Sequence, residues 1–187
     1  ITGASGLIGS ILGDAMNAQY DVTGVDIVNA PVLDTLIADT TDLDAIYAAF
    51  DGVDAVIDLA AMIDRDTAWD HVYSNNIPST YNVLEASRRA GVKRVVFASS
   101  NHTTGLYEND YPYSDIVAGL YDGLDSNSIP LVDITMPVRP DGPYGIGKIV
   151  GEVAGRYYSE RYGLSVICLR IGTVNRENRP LIPRHFS

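Results

Sequence analysis

Thr2-Gly3-Ala4-Ser5-Gly6-Leu7-Ile8-Gly9 spaces three glycines three residues apart and leads straight into an apolar pattern of helical period. A tight strand-to-helix turn of this kind needs residues without Cβ, each for its own reason. The first lets the chain reverse, the second lets backbone approach a phosphate, and the third lets the helix pack on its strand. The helix start Gly6-Leu7-Ile8-Gly9 then offers free N–H groups and a positive dipole end to a pyrophosphate. Three glycines alone also make an ordinary strand–helix turn. The residues downstream of the loop weigh between the two readings.

Outward from the loop, strand and helix alternate. Ile1-Thr2 represents a first strand, and a helix from about Leu7 to Asn17 turns Ile8, Ile11, Leu12, Ala15 and Met16 inward. Asp21 to Ile27 and residues 36–39 read as strands. Thr41 is expected to cap a helix carrying Leu43, Ile46, Tyr47 and Phe50, with Asp44 completing a capping box. Residues 55–59 form a short apolar strand, as a sheet buried on both faces requires. A helix from Trp69 to Ala90 comes next, turned or kinked at Pro78 and stopped by Gly91. Residues 94–99 are a strand, 103–143 loop-like, 144–162 a helix ended by Gly163, and 165–171 a strand. This rhythm predicts an α/β fold, a doubly wound parallel sheet of the Rossmann type. One residue before the glycine loop and a stop soon after the last strand make it look truncated at both ends. The expectation is a single dinucleotide-binding domain over 1–187, its first strand incomplete and its C-terminal substrate region missing.

Composition narrows the partners. Thirteen basic against 24 acidic residues leave a formal charge of −11, a field that repels nucleic acid and anionic membranes. Most of the acids are aspartate and only Lys93 and Lys148 are lysines, a balance expected of adaptation to high salt. No apolar run approaches the ~20 residues of a membrane span, and no signal peptide precedes the loop. Cys168 lies in an apolar run, where a small buried hydrophobe is expected. A cytoplasmic enzyme fits. His71, His102 and His185 share no metal-ligand spacing, so no metal is expected.

Asp26, at the end of the second strand, is placed to accept hydrogen bonds from a ribose and to repel a 2′-phosphate. No Lys or Arg lies near it, so NAD is favoured over NADP. A solvated strand-end acid is the alternative. Tyr144-Gly-Ile-Gly-Lys148 puts a phenol and an ammonium on one helix face. A phenol has a reference pKa near 10, about three units too high for it to serve as a base at neutral pH. An adjacent ammonium and a cationic nicotinamide together can supply the ~4 kcal/mol needed. Ser99 and Ser100 end the fifth strand, where doubly wound sheets bind ligands, and a serine there can hydrogen-bond a reacting substrate oxygen. A surface Tyr–Lys pair is the competing reading.

Taken together, the loop from Thr2 to Gly9, Asp26, Asp39-Thr40, Leu59-Ala60-Ala61, Asn75, Ser100 and Tyr144-x-x-x-Lys148 resemble the extended short-chain dehydrogenase/reductase family, also called the NAD-dependent epimerase/dehydratase family. The resemblance spans the chain. It implies that Asp39, with Thr40, contacts the adenine and that Leu59, Ala60, Ala61 and Ile171 pass along the cofactor. It also implies that Asn75 joins Ser100, Tyr144 and Lys148 as catalytic residues, and that Asn75, Tyr144 and Lys148 touch NAD. A homodimer through the Tyr144 helix is a further implication. Asp58 stands where many members carry histidine, and Ser79 where Asn-x-x-x-Gly-Thr has glycine.

The run Phe97-Ala-Ser-Ser-Asn-His-Thr103, then Pro140-Asp-Gly-Pro-Tyr144 and Arg170-Ile-Gly172, resemble the uronate dehydrogenase branch. Its members oxidise the anomeric carbon of a sugar acid or sugar phosphate to a lactone. The likeness implies a sugar substrate (hexuronate, aldose or sugar phosphate) held by Ser100, Asn101, His102, Tyr144 and Arg184. A loop-start histidine and a solvated arginine are the bland readings of His102 and Arg184. Met62-Ile63-Asp64 replaces a small hydroxyl of that branch, and the stretch from Ser100 to Tyr144 is longer, both of which argue against uronate itself. Arg176, Arg179 and Arg184 are the cations on offer to an anionic sugar. The tyrosines of 107–121 form either a lid or a structural loop. The rival function is a sugar-nucleotide epimerase or dehydratase, which needs a C-terminal nucleotide lobe. A non-catalytic NAD sensor would have lost Tyr144 or Lys148.

Overall fold

Apolar runs flanked by turns form five parallel strands among the described residues: β1 Thr23–Asp26, β2 Asp34–Ile37, β3 Ala55–Asp58, β4 Arg94–Ser100 and β5 Ser165–Ile171. The computed structural model describes residues 1–63 and 66–177. β1 pairs with β2, and β3, β4 and β5 lie side by side in that order. Thr2 joins the two sets by single parallel bridges to Val25 and Asp58. Its backbone N–H donates to the Ile57 carbonyl at 3.0 Å, and the Val25 N–H donates to the Ile1 carbonyl at 2.8 Å. The sheet therefore runs β2-β1-Thr2-β3-β4-β5, with its order reversing at Thr2. That reversal is the topological switch point, where doubly wound sheets leave a crevice at the strands' carboxyl ends.

The helices are α1 Leu7–Met16, α2 Leu43–Tyr47, α3 Trp69–His71, α4 Ile77–Ala90, α5 Tyr113–Val117 and α6 Pro143–Tyr162. Successive strand residues face opposite ways, and this puts helices on both sides. Gly24 faces Ala4, while Val25 joins Val56, Val95, Ile46, Val83 and Tyr158 in the larger core under α2, α4 and α6. Each such side chain contributes about 1.5–3 kcal/mol on burial. A smaller cluster of Ala4, Ala30 and Leu33 lies at α1. On β5, Val166 and Cys168 meet Gly155 of α6, whereas Ile167 and Leu169 on the other face are 42% and 47% exposed.

Several local expectations shift. The cap of α2 is Asp42, whose Oδ1 accepts from the N–H groups of Asp44 and Ala45 at 3.1 Å, not a Thr41–Asp44 box. An aspartate one residue nearer the helix reaches those donors without the hydroxyl. Among the described residues β2 is an edge strand that starts and ends two residues earlier than its apolar letters suggest, and its Leu36 and Ile37 are exposed. The expected Trp69–Ala90 helix contains a π-helical turn, Val72–Asn76, just before Pro78. Ile77 N–H reaches back to the Val72 carbonyl. Proline has no N–H to continue the α pattern, and the wider turn is set against it. Gly91 closes α4 at φ 75° as a left-handed cap. The expected loop at 103–143 follows a 3₁₀ turn, Asn101–Thr103, holds a second, Gly105–Asn109, and the short α5, and gives way to α6 at Pro143.

Candidate active site at the switch point

A cleft of about 1080 Å³ opens along the carboxyl ends of β1, β3, β4 and β5. Gly3, at φ 65°, starts its floor, and a Cβ there would lie 2.9 Å from backbone atoms of Leu59 and Ala60. A Cβ on Gly9 would come 2.3 Å from the Gly3 carbonyl oxygen, so α1 can sit this close to the loop only without a side chain. Gly6 caps α1 with no side-chain hydrogen bond, and the first turn of Leu7, Ile8 and Gly9 carries no acid. Those N–H groups face the cleft uncapped, the arrangement that receives an anion at a helix N-terminus.

Asp26 ends β1 on the same rim. Its Oδ2 accepts from the Ser5 N–H at 2.9 Å and the Ser5 hydroxyl at 2.8 Å, which aims the carboxylate across the loop. Sequence reasoning does not single out Ser5 as a site residue. Its signal is a hydroxyl inside the glycine loop, with an acid waiting at the next strand end. Asp39 is exposed on the cleft's edge, with its Oδ1 accepting from the Thr41 N–H at 2.8 Å. Thr40 is buried, and its hydroxyl shares a 2.7 Å hydrogen bond with Ser79. Ser79, in place of a family glycine, thus ties α4 to the β2–α2 turn. Leu59, Ala60, Ala61 and Ile171 line the cleft. The N–H groups of Leu59 and Ala60 donate to the Thr2 hydroxyl, which itself donates to Asp58 Oδ1 at 2.7 Å.

Tyr144 and Lys148 stand one turn apart on α6, both buried, with Tyr144 7% and Lys148 3% exposed. The Lys148 ammonium lies 4.9 Å from the Phe97 ring centre and 5.6 Å from that of Tyr144. Burial pushes the lysine down to about 8, while the Asp58 carboxylate pulls it back upward. Burial also holds the Tyr144 phenol above its ordinary value, against the opposing pull of a hydrogen bond with Ser100. In the bare protein the phenol therefore keeps its proton at neutral pH, and added positive charge beside it would favour the tyrosinate. Asp58 is 1% exposed, and burial raises its carboxyl although the Thr2 bond and the Lys148 charge oppose this.

The two serines that end β4 part company. Ser99 donates to Glu152 at 2.5 Å, and Glu152 is held by both arms of Arg170. Ser100, beside Tyr144, accepts from the His102 N–H at 3.2 Å and donates to Asn101 at 3.3 Å. The His102 ring stands edge-on to Tyr144 at 5.8 Å, and its Nδ1 is 2.7 Å from Asp141 Oδ2. Asn75 lines the cleft half-buried, donating to the His71 carbonyl and the Ser74 hydroxyl. Its neighbour Asn76 is buried and makes two bonds to the Met62 backbone, at 2.9 and 3.0 Å. The resemblance names Asn75 alone, and the π turn over Val72–Asn76 sets which way each of the two neighbours faces.

Other features settle into supporting roles. A Cβ on Gly147, Gly151 or Gly155 would come within 2.6 Å of Val72, 2.4 Å of Phe97 or 2.8 Å of Val166, so α6 packs flat on its neighbours. Burial pushes the Cys168 thiol up to about 11, far from a reactive thiolate. Tyr107 and Tyr113 bond the carbonyls of Pro137 and Pro130, and Tyr111 is 72% exposed, which makes that stretch self-bonded rather than folded over the cleft. No described helix is long and apolar enough to cross a membrane. Asp64, Arg179, Arg184 and His185 lie outside the described residues.

Fold and cleft together define a doubly wound domain built to receive a ligand at its switch point. A profile of the NAD dependent epimerase/dehydratase family matches residues 1–180, and the chain belongs to that family. It is 41% identical over 173 residues to the L-arabinose 1-dehydrogenase (NAD(P)(+)) of Haloferax volcanii, covering 92% of this chain and 65% of that protein. The NAD-dependent glucose-6-phosphate dehydrogenase of the same organism is 33% identical over 190 residues, covering 96% of this chain and 70% of its own. Among solved structures, glucuronic acid dehydrogenase from Chromohalobacter salexigens superposes with a TM-score of 0.75 at 29% identity. That match covers 92% of this chain and 59% of the other. The chain thus spans roughly 59% to 70% of the length of these relatives.

Proposed function

We propose that the chain is the cofactor-binding part of a cytoplasmic, NAD-dependent dehydrogenase that oxidises the anomeric carbon of a neutral aldose to a lactone. The carrying observation is the meeting of Tyr144, Lys148, Ser100 and His102 on one wall of a cleft whose opposite end is the glycine cradle. The cradle fits a dinucleotide: Gly3 and Gly9 admit no side chain, and the uncapped N-terminus of α1 suits a pyrophosphate. Asp26, oriented by Ser5, takes the adenosine ribose and disfavours a 2′-phosphate, while Asp39 and Thr40 border the adenine. Bound NAD supplies the hydride acceptor and a positive charge on its ring.

Ser100 holds the lactol oxygen, and Tyr144 removes that oxygen's proton as the hydride leaves the carbon. Lys148 places its ammonium beside the phenol and favours the tyrosinate. It also reaches toward the nicotinamide ribose, and Asn75 borders that end of the cleft. The substrate side of this wall is Asn101 and His102, and Arg184 is its further candidate from sequence. Among the described lining residues the charges are Lys148 and the carboxylates Asp26, Asp39 and Asp66. A neutral sugar suits that balance better than an anionic one, in keeping with the 41% identity to an arabinose dehydrogenase.

The deciding test is NADH formation across a panel of aldoses, hexuronates and sugar phosphates, with NADP as competitor and Tyr144→Phe as control. Oxidation of aldoses is expected. Conversion of a sugar nucleotide with no net NADH would sink the reading in favour of an epimerase. A homodimer through α6 is part of the proposal. Ile146, Val150, Val153 and Tyr157 are exposed along one stripe of that helix, and a monomer by light scattering at working concentration would remove it.

A further inference from the structure

Asp141 is three residues upstream of Tyr144, in the turn that enters α6, and its carboxylate is largely buried. One oxygen, Oδ2, meets His102 Nδ1 at 2.7 Å, and the other, Oδ1, is buried with no hydrogen-bond partner in the protein. An acid left half-satisfied in this way costs stability, so its place calls for a reason beyond packing.

The surroundings hold the pair in one arrangement. Thr103 and Thr104 hydroxyls bond back to the carbonyls of Ser100 and Asn101 at 2.8 and 3.0 Å, stitching the turn that carries His102. The N–H groups of Arg139 and Asp141 donate to the carbonyls of Thr103 and His102 at 2.9 and 3.3 Å, docking the second segment on the first. A Cβ at Gly105 would fall 2.3 Å from Asp141 Oδ2, and one at Gly145 would fall 2.3 Å from the His102 carbonyl oxygen. The two segments are thus docked by backbone bonds and by glycines that leave no room for a side chain between them.

We propose that Asp141 is a positioning residue that fixes the tautomer of His102, so that the imidazole meets the substrate as a hydrogen-bond acceptor at Nε2 and selects a sugar hydroxyl there. This rests on the sugar dehydrogenase reading above and deepens it. A neutral imidazole has one N–H and one lone pair, and the bond made by one nitrogen decides the role of the other. A carboxylate only accepts, so Nδ1 carries the hydrogen. Nε2, on the far edge of a ring that borders the cleft, is left with its lone pair. That atom can accept from a hydroxyl but cannot donate to a carboxylate or phosphate. The same ring stands edge-on to Tyr144, with 5.8 Å between ring centres, so the histidine and the phenol share one wall of the cleft.

The test reads the tautomer directly. In ¹⁵N-histidine spectra of the protein, recorded about two pH units above the ordinary histidine value of ~6.5, His102 is assigned by its loss in His102→Gln. The expected signal is the Nδ1–H form, changing toward Nε2–H in Asp141→Asn and Asp141→Ala. In the aldose assay, Asp141→Asn should lower kcat/KM by about 10- to 100-fold, as loss of an orienting partner does at other sites, mainly through KM, with NADH binding unchanged. In a His102→Ala background the same substitution should cost nothing more. An Nε2–H tautomer in the wild-type protein overturns the proposal, as does an equal cost of Asp141→Asn with and without the imidazole. A wild-type protein that oxidises no sugar sinks the dehydrogenase reading instead, and the nitrogen shifts still decide the tautomer.

Discussion

Two buried charged clusters share the layer formed by α4 and α6, and they are built on opposite plans. Toward the end of α6, Glu85 accepts from Arg88 Nη2 and Nε at 2.7 and 2.9 Å, from Arg89 at 2.7 Å and from the Tyr158 hydroxyl at 3.0 Å. The first of these, the Arg88 bond, leads in drawing its carboxyl down to about 2. Near the start of the same helix, Lys148 sits against two aromatic faces, and burial wins over its nearest carboxylate. Asp58, opposite Phe97 in the β3–β4 register, keeps one oxygen without a partner. The Glu85 cluster satisfies its charge internally and stays put. The Lys148 cluster compensates its charges only in part within the protein, burial outweighing the pull between Lys148 and Asp58, in the way sites that complete themselves on a ligand do.

Four substitutions sharpen that contrast, in falling order of effect. Tyr144→Phe removes the proposed base, and NADH formation should fall by about 10²- to 10⁴-fold while titration with NADH shows binding retained. Lys148→Met should cost activity on a similar scale yet stabilise the fold by ~1–3 kcal/mol at pH 7, by relieving a buried ammonium. A lysine whose folded pKa lies near 8 instead of 10.5 binds its proton less readily when folded. The native protein therefore gains stability as pH rises from about 8 to 10.5, and thermal melts should show the variant's advantage shrinking across that window.

Glu85→Gln inverts the pattern, leaving turnover untouched and lowering stability by about 1.5–3 kcal/mol, the range for hydrogen bonds to a charged group. Because the folded carboxyl titrates near 2 and the unfolded one near 4.5, the wild type loses this stabilisation as pH falls through that interval. Urea melts of Glu85→Gln should lack that acid slope. Arg156→Ala breaks an ion pair to Glu160 whose side chains are 79% and 67% exposed, and its melting curve should overlay the wild type within about 0.5 kcal/mol.

The parts legible in the chain were those governed by short spacings. Gly3, Gly6 and Gly9, the strand–helix rhythm, and Tyr144 one turn before Lys148 all come from local periodicity, and the structure places them along one cleft. The supports of that cleft depend on pairings distant in sequence. Asp26 reaches Ser5 across 21 residues, His102 reaches Asp141 across 39, and Asp58 reaches Thr2 across 56. Nothing in the letters sets those registers. Asn75 and Asn76 show the same limit at close range, since a π turn rotates neighbouring residues in a way that α periodicity does not describe. Asp42 displaced Thr41 as a cap because two adjacent residues compete for the same N–H groups, and geometry chose between them.

The glycines at 147, 151 and 155 act as a depth gauge. With no side chain between Gly151 and the Phe97 ring, the helix rides low enough for the neighbouring turn to drop its lysine out of water's reach. One methyl group at position 151 would work as a shim, lifting α6 from the sheet and letting solvent back to the ammonium. The pH at which Lys148 sheds its proton is thus set by a spacing, and the residue that keeps that spacing contributes no atom to the chemistry.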